Sequence, residues 1–227
     1  MKHPQTARCA VCRIPSDDRV CTHETGKGDK GCPTLAKADL IDATREEYRK
    51  PEVAEFARQA SIQEAECYAH RDRRPFVMHP TKSRMQEIYE FAHKMGYTRL
   101  GLAFCAGLVK EAEIVAHILE FQGFEVVSAI CKVGSIPKET IGLTDEERIR
   151  IGEYEAMCNP IMQAKVLNDA NTDFNIMVGL CVGHDSLFFK YADAPCTVLA
   201  AKDRVSGHNP LGAIYTAHSY YERLSKP

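Results

Sequence analysis

The side chains best equipped for chemistry in this sequence are its ten cysteines, and eight of them fall into patterns. The first pattern reads Cys9-x2-Cys12-x8-Cys21-x10-Cys32. A Cys-x2-Cys knuckle followed by two more cysteines supplies four thiolates, enough to close a tetrahedral zinc site or to hold a cubane iron-sulfur cluster. The second half lacks a tight Cys-x2-Cys pair, so this is not a standard zinc ribbon, and spacing leaves zinc and iron-sulfur open. His23 and His3 are candidates to replace one thiolate, although a solvated loop histidine is the commoner case. The second pattern is Cys105, Cys131 and Cys181, each closing an apolar run and each followed within three residues by glycine: LAFC-A-G, SAIC-KV-G and VGLC-V-G. Helix starts beside such positions stabilise a thiolate, and glycine lets backbone N–H groups approach sulfur. Small cysteines packing the strand ends are the plainer alternative; it suits one such residue better than three equivalent ones. Cys158, in MCNP, precedes another helix start and is a candidate fourth ligand. Cys67 and Cys196 read as packing residues.

Polar groups accompany the second set. GLCVGHDSLF places His184 and Asp185 within four residues of Cys181, where a histidine could carry a proton and Asp185 could equally be a helix cap. AAKDRVSGHNP holds Lys202, Asp203, Arg204, His208 and Asn209. Such a loop, if it is more than plain surface, could bind an anionic substrate through Lys202, Arg204 and Asn209, with His208 as acid or base. His184 and His208 are thus the candidate catalytic groups. Sharper motifs are absent. Six residues after the three strand-end cysteines stand Glu111, Pro137 and Leu187, so no Cys-x5-Arg phosphatase loop exists, and there is no P-loop, dinucleotide-binding or haem-attachment motif.

These groups need elements to hold them. Residues 1–34 are rich in glycine, proline and cysteine with few large apolar side chains, a composition that needs a metal staple. Residues 35–82 read as a helical arm, interrupted at Lys50-Pro51, and a solvated basic loop. Residues 83–227 read as an α/β domain. Ser83-x-x-Gln86 has the form of a capping box, strands are expected at 99–105, 124–131, 173–181 and 196–202, and helices lie between them. Asn159-Pro160 and Asn209-Pro210 read as helix starts, the latter opening a helix through LGAIYTAHSYYERL, and Thr144-x-x-Glu147 as the cap of a short one. The predicted fold is therefore an open parallel sheet of about four strands with helices on both faces, following a Cys-rich segment and a helical arm. Cys105, Cys131 and Cys181 would gather at its carboxyl edge, where such sheets bind ligands. The helix after Cys158 is expected to start at the opposite edge unless the loop 132–157 folds back.

Composition limits the function classes. The 227 residues carry 29 basic and 31 acidic side chains, leaving no electrostatic footprint for nucleic acid or an acidic membrane. No apolar run approaches the roughly 20 residues of a membrane helix, and the start MKHPQTARC has no signal core. A cytoplasmic location is expected, and thiols in excess there point to metal or redox chemistry rather than disulfides.

The phrases GLAFCAGLVKEA, EAMCNPIMQAKVLN, VGLCVGHDSLFFKYADAP and VLAAKDRVSGHNPLGAIY, spanning most of 99–216, resemble an uncharacterised prokaryotic family, domain of unknown function family 1847, described as metal-binding proteins of archaea and anaerobic bacteria. The resemblance implies metal binding in an anaerobic-type cytoplasm and supplies no reaction. The expected function is a metal-binding protein with a four-Cys site at Cys9, Cys12, Cys21 and Cys32 and a second thiolate centre, iron-sulfur in type, at Cys105, Cys131, Cys181 and Cys158. Its role would be redox or electron transfer, with an electron-transfer partner or a small anionic ligand. Three thiolates would leave an open position for substrate; four suit electron transfer. The alternatives are a zinc-stabilised, non-catalytic α/β module that senses a small molecule or metal ion, and thiol catalysis by Cys181 activated by His184.

Overall fold

The structure, a computed structural model, describes residues 6–226. Its contacts divide the chain into two units, Met1–Ile62 and Gln63–Pro227, a boundary inside a helix rather than at residue 34 or 82. His3 lies outside the described residues.

The first unit has no buried residue among those described. Short 3-10 turns at Cys9–Val11 and Ser16–Asp18 lead into helices α1 (Pro33–Ala36), α2 (Ala38–Glu47) and α3 (Pro51–Glu66), the last crossing into the second unit. α1 and α3 both begin on proline, whose fixed φ and missing N–H suit a first helical position. Ion pairs three residues apart, such as Arg45–Asp42 and Arg58–Glu55, line the exposed helix surfaces.

The second unit is the α/β domain. Ser83 caps α4 (Arg84–Lys94) by accepting from the Gln86 N–H, while the Gln86 side chain turns away to Glu90, so only half of the expected box forms. Strands β1 (Arg99–Phe104), β2 (Glu125–Ile130), β3 (Phe174–Val178) and β4 (Cys196–Ala200) form one parallel sheet in the order β2-β1-β3-β4. Helices α5 (Val109–Phe121), α6 (Pro160–Asp169) and α7 (His184–Tyr191) make the crossovers. The chain moves one way from β1 to β2 and the other way afterwards. With right-handed crossovers this puts α5 on one face and α6 and α7 on the opposite one.

Strand alternation agrees. Ala103 and Met177 pack with Ala164, Leu167 and Phe188 of α6 and α7. Phe174, of opposite parity, meets Phe91 of α4 at 5.6 Å between ring centroids. Gly101 is glycine for a steric reason: a Cβ there would come within 2.8 Å of Leu167 Cδ1 and strike the Asn175 side chain. β3 is buried along its whole length, which explains its unbroken apolar run.

Two expected helix starts take another form. α7 begins one residue before Asp185, with Gly183 at the cap and φ +85°, so Asp185 sits inside the first turn and accepts from the Ser186 N–H. Asn209 caps nothing: α8 is the short helix Leu211–Tyr215, and the rest of the stretch is turns and a 3-10 turn at Glu222–Leu224. Few apolar residues of that stretch find a partner, since Leu211, Ile214, Tyr215 and Tyr220 are exposed. Without burial a marginal helix does not extend. Among the described residues no helix is long and apolar enough to cross a membrane.

Candidate metal centre

The first unit brings its four cysteines around one pocket. Cys9 and Cys12 flank a 3-10 turn closed by the Cys12 N–H on the Cys9 carbonyl at 3.2 Å. A bridge between Arg19 and Lys27 folds the next segment back and sets Cys21 beside it. The Cys32 N–H donates to the Asp29 carbonyl at 2.9 Å, and the Asp29 carboxylate accepts from the Arg13 N–H. Cys9, Cys12, Cys21 and Cys32 all line the resulting pocket of about 550 Å³, together with Arg8, Arg13, Arg19, Lys27 and Lys30. Gly28 is pressed against Cys32, leaving a Cβ only 3.1 Å from the Cys32 sulfur. His23 is exposed and does not line the pocket.

In the second unit the sheet ladder itself carries the thiols to the carboxyl edge. The Cys105 N–H donates to Val178 and the Cys131 N–H to Phe104, so both cysteines are the first residues beyond paired strand ends. The buried Cys131 thiol lies close enough to the thiols of Cys105 and Cys158 for the three to displace one another's titration. Cys131 also accepts from the Ala106 N–H at 3.2 Å, and Cys105 accepts from the Gly107 N–H at 3.5 Å. The hydrogen bond from Cys131 holds the Cys105 thiol below the ordinary cysteine range, helped by Gly107 and Lys202. The same donor lowers Cys158, with the charges of Lys132 and His184 adding to it. Cys131, which keeps the shared proton among two thiols in a buried place, is pushed up.

Cys158 reaches this edge as a ligand candidate, and the expectation that its helix starts at the far edge is corrected. A crossover helix runs against the strands and therefore begins at their carboxyl side. The loop after β2 also doubles back: Lys138 donates to Glu155, Met157 to Ile136, and the Asn159 N–H to Cys131 itself at 2.7 Å. Asn159 then caps α6, accepting from the Met162 N–H at 3.1 Å.

Cys181 does not join the trio. It lies three residues beyond β3, and its sulfur takes a hydrogen bond from Arg204 Nη2 at 3.1 Å. The pairing of Cys181 with His184 that the thiol-catalysis alternative requires has no hydrogen bond among the described residues. The charge of His184 bears on Cys158 instead, and its buried Nδ1 has no hydrogen-bond partner. After β4, Lys202 reaches back over the sheet edge to Cys105. His208, held at φ +67°, accepts from the Asp203 N–H through Nδ1, so that nitrogen is committed to the loop. The Asp203 carboxylate accepts from the Val205 and Ser206 N–H groups, and Asn209 stays in the surface turn. Cys67, bonded to the Gln63 carbonyl, and Cys196, at the amino end of β4, lie off this edge.

One residue that the sequence analysis left unremarked is central. Gln163, fully buried in α6, donates through Nε2 to the carbonyls of Phe104 and Ala129 at 3.1 and 2.7 Å. It ties together the ends of the two strands that carry Cys105 and Cys131. A glutamine four residues after an N-cap Asn, on an otherwise apolar helix face, was its one trace in the sequence.

Among the described residues, no three His, Cys, Asp or Glu side chains converge tightly enough to cage one ion as they stand. The donor chemistry nevertheless fits a soft metal. Sulfur groups cluster at both places, and in the second unit backbone N–H groups and cations point at them, the surroundings that thiolate ligands need.

A family model described as "Protein of unknown function (DUF1847)" matches residues 32–199. The chain belongs to this family. It is also 45% identical over 188 residues to an uncharacterised protein of Methanocaldococcus jannaschii, covering 83% of this chain and 89% of that protein. The DUF1847 match takes in Cys32 and the Cys105, Cys131, Cys158 and Cys181 positions, and leaves Cys9, Cys12 and Cys21 outside it. Two solved structures of Dph2 from Pyrococcus horikoshii, one with a 4Fe-4S cluster, align at 16% identity and a TM-score of 0.34 over 64% of this chain. The chain spans about a third of the length of those structures, 33%.

Proposed function

We propose that this DUF1847 protein is a cytoplasmic metal-binding protein whose α/β domain holds a thiolate-ligated centre, iron-sulfur in type, on Cys105, Cys131 and Cys158. The observation that carries this is the gathering of the three cysteines at the carboxyl edge of β1 and β2, where the Cys131 sulfur takes the Ala106 N–H next to Cys105 and the Cys131 carbonyl takes the Asn159 N–H next to Cys158. That edge adjoins the point between β1 and β3 where the chain's direction across the sheet reverses, the usual ligand crevice of such folds. Cys9, Cys12, Cys21 and Cys32 form the second site. Their pocket of about 550 Å³ exceeds what one ion needs and has room for a cluster.

The centre would supply a one-electron couple when bound, in a redox or electron-transfer role. The chain's own part is to hold the sulfurs anionic through the Ala106 and Gly107 N–H groups and Lys202. His184, beside Cys158, is the group available to hold a proton. Three protein thiolates rather than four leave a coordination position for a ligand, which favours a substrate-binding centre over a pure electron carrier. Structural zinc at the amino-terminal cysteines alone, with a sensing α/β module, is the competing reading.

Metal and acid-labile sulfide should be measured on anaerobically purified protein and on Cys131→Ser, Cys181→Ser and Cys12→Ser variants. Iron and sulfide that fall in Cys131→Ser and stay in Cys181→Ser are expected. Zinc as the sole metal, kept in full by Cys131→Ser and lost in Cys12→Ser, would sink the sheet-edge centre.

A further inference from the structure

Three cations stand around the sheet-edge thiols, and among the described residues none of them forms an ion pair with a carboxylate. Lys202 Nζ lies 3.7 and 3.9 Å from where side chains at Gly179 and Gly107 would begin, so it occupies the crevice between β1 and β3. Arg204 spends one Nη2 contact on Cys181 and is otherwise exposed. Lys132 donates to the Ala156 carbonyl. The nearest acid in sequence, Asp203, is turned inward onto the Val205 and Ser206 N–H groups. Lys202 and Lys132 are half-buried, where a cation without counter-charge is costly, and with the exposed Arg204 beside them they make a place that an anion would relieve.

Thiolates meet part of that charge. A divalent ion or a cubane of charge +2 on three thiolates carries a net charge of about −1, however, so metal loading cancels most of the sulfur charge and leaves the cations in surplus. The crevice is also uncovered. Gly107 is exposed, and a Cβ there would lie 4.0 Å from the Cys105 sulfur and beside Lys202, so any larger side chain would cover both.

We infer that this crevice binds a small oxyanion, a carboxylate or phosphate group, between Lys202 Nζ and the free N–H groups of Arg204, with Gly107 as its open floor. The guanidinium fork orients the oxygens, the ammonium supplies a point charge, and the anion lies against the thiol trio. The ligand class of the site is therefore a small anionic metabolite rather than a neutral molecule or a protein surface. This deepens the function proposed above and rests on it only for the charge left by metal loading.

The test is calorimetric titration of the anaerobically purified protein, at low ionic strength, with inorganic phosphate in one arm and malonate in the other. Metal content is measured on every sample. Binding of at least one anion is expected, with Arg204→Gln and Lys202→Gln each weakening it about tenfold, the loss of one charge-assisted contact. Gly107→Val should weaken it as much without removing a charge, and Arg204→Lys should restore part. The arm that binds more tightly separates phosphate from carboxylate ligands. Absence of binding to either anion, or affinities indifferent to all of these variants in protein that keeps its metal, overturns the inference. Binding that persists with these dependences in protein containing no sheet-edge metal leaves the oxyanion site standing and removes the metal centre instead.

Discussion

The two thiol sets differ in what holds them. Cys9, Cys12, Cys21 and Cys32 sit in a unit with no buried residue among those described, on 3-10 turns and one isolated bridge. Cys105, Cys131 and Cys158 sit at the end of a sheet whose central strand β3 is wholly buried, tied by Gln163 and by the ladder itself. In the first unit the ligands must organise the chain; in the second the chain organises the ligands. The electrostatics follow: neighbours displace the titration of Cys105, Cys131 and Cys158, because burial and short contacts give hydrogen bonds and charges their leverage.

The largest effect that would break this contrast is metal removal. Structural metal contributes on the order of 10 kcal/mol to small metal-stapled units, so chelation should leave Met1–Ile62 open to protease and fast in amide exchange while the α/β unit stays protected. Equal protection of both units after chelation would mean the amino-terminal unit folds without its thiols.

Gln163→Leu probes the other side. It removes both hydrogen bonds, but the Phe104 carbonyl keeps the bond from the Cys131 N–H and a buried Oε1 without a partner is removed as well, so the cost is about 1–2 kcal/mol of α/β stability by urea unfolding, with the metal content of the amino-terminal site unchanged. An unchanged urea midpoint would remove Gln163 from its role as the tie between β1 and β2. A smaller effect is expected of Gly28→Ala. The added Cβ, 3.0 Å from the Cys32 Cβ, must move Cys32, so metal at the amino-terminal site should be lost more readily to a competing chelator while the sheet-edge metal is unaffected.

The smallest effect sharpens the electrostatic difference. In metal-free protein the lowered Cys105 stays a thiolate below the ordinary thiol pKa near 8.5, and the raised Cys131 stays protonated above it. Alkylation followed by peptide mass spectrometry should therefore show Cys105 reacting on the acid side of that value and Cys131 silent throughout. Cys105 reacting only above it would show that the hydrogen bond from Cys131 is absent in solution.

Much of this was legible in the residues. The four strands, the helix caps at Ser83 and Asn159 and the Thr144 box follow from apolar runs and side chains that satisfy backbone groups a few residues away. The gathering of Cys105 and Cys131 was also readable, since both stand one residue beyond an apolar strand and parallel strands share an edge. The terminal stretch misled because Asn209-Pro210 repeats the local signal of Asn159-Pro160, while only the latter leads into a helix that buries a face. Cys181 misled for a related reason. Its strand ends at Val178, and the three-residue turn at Gly179, with φ +65°, carries its sulfur to Arg204 instead of to the trio.

The sequence by itself determined the elements, the parallel sheet and the supply of sulfur at its edge, because those depend on patterns within a few residues. Tertiary structure alone decided which sulfurs meet. The return of the loop to Cys158, the reach of Lys202 across the β1–β3 crevice and the tie made by Gln163 are contacts between residues 27 to 97 positions apart. No local periodicity encodes such distances; packing of α6 against the sheet and the order β2-β1-β3-β4 do.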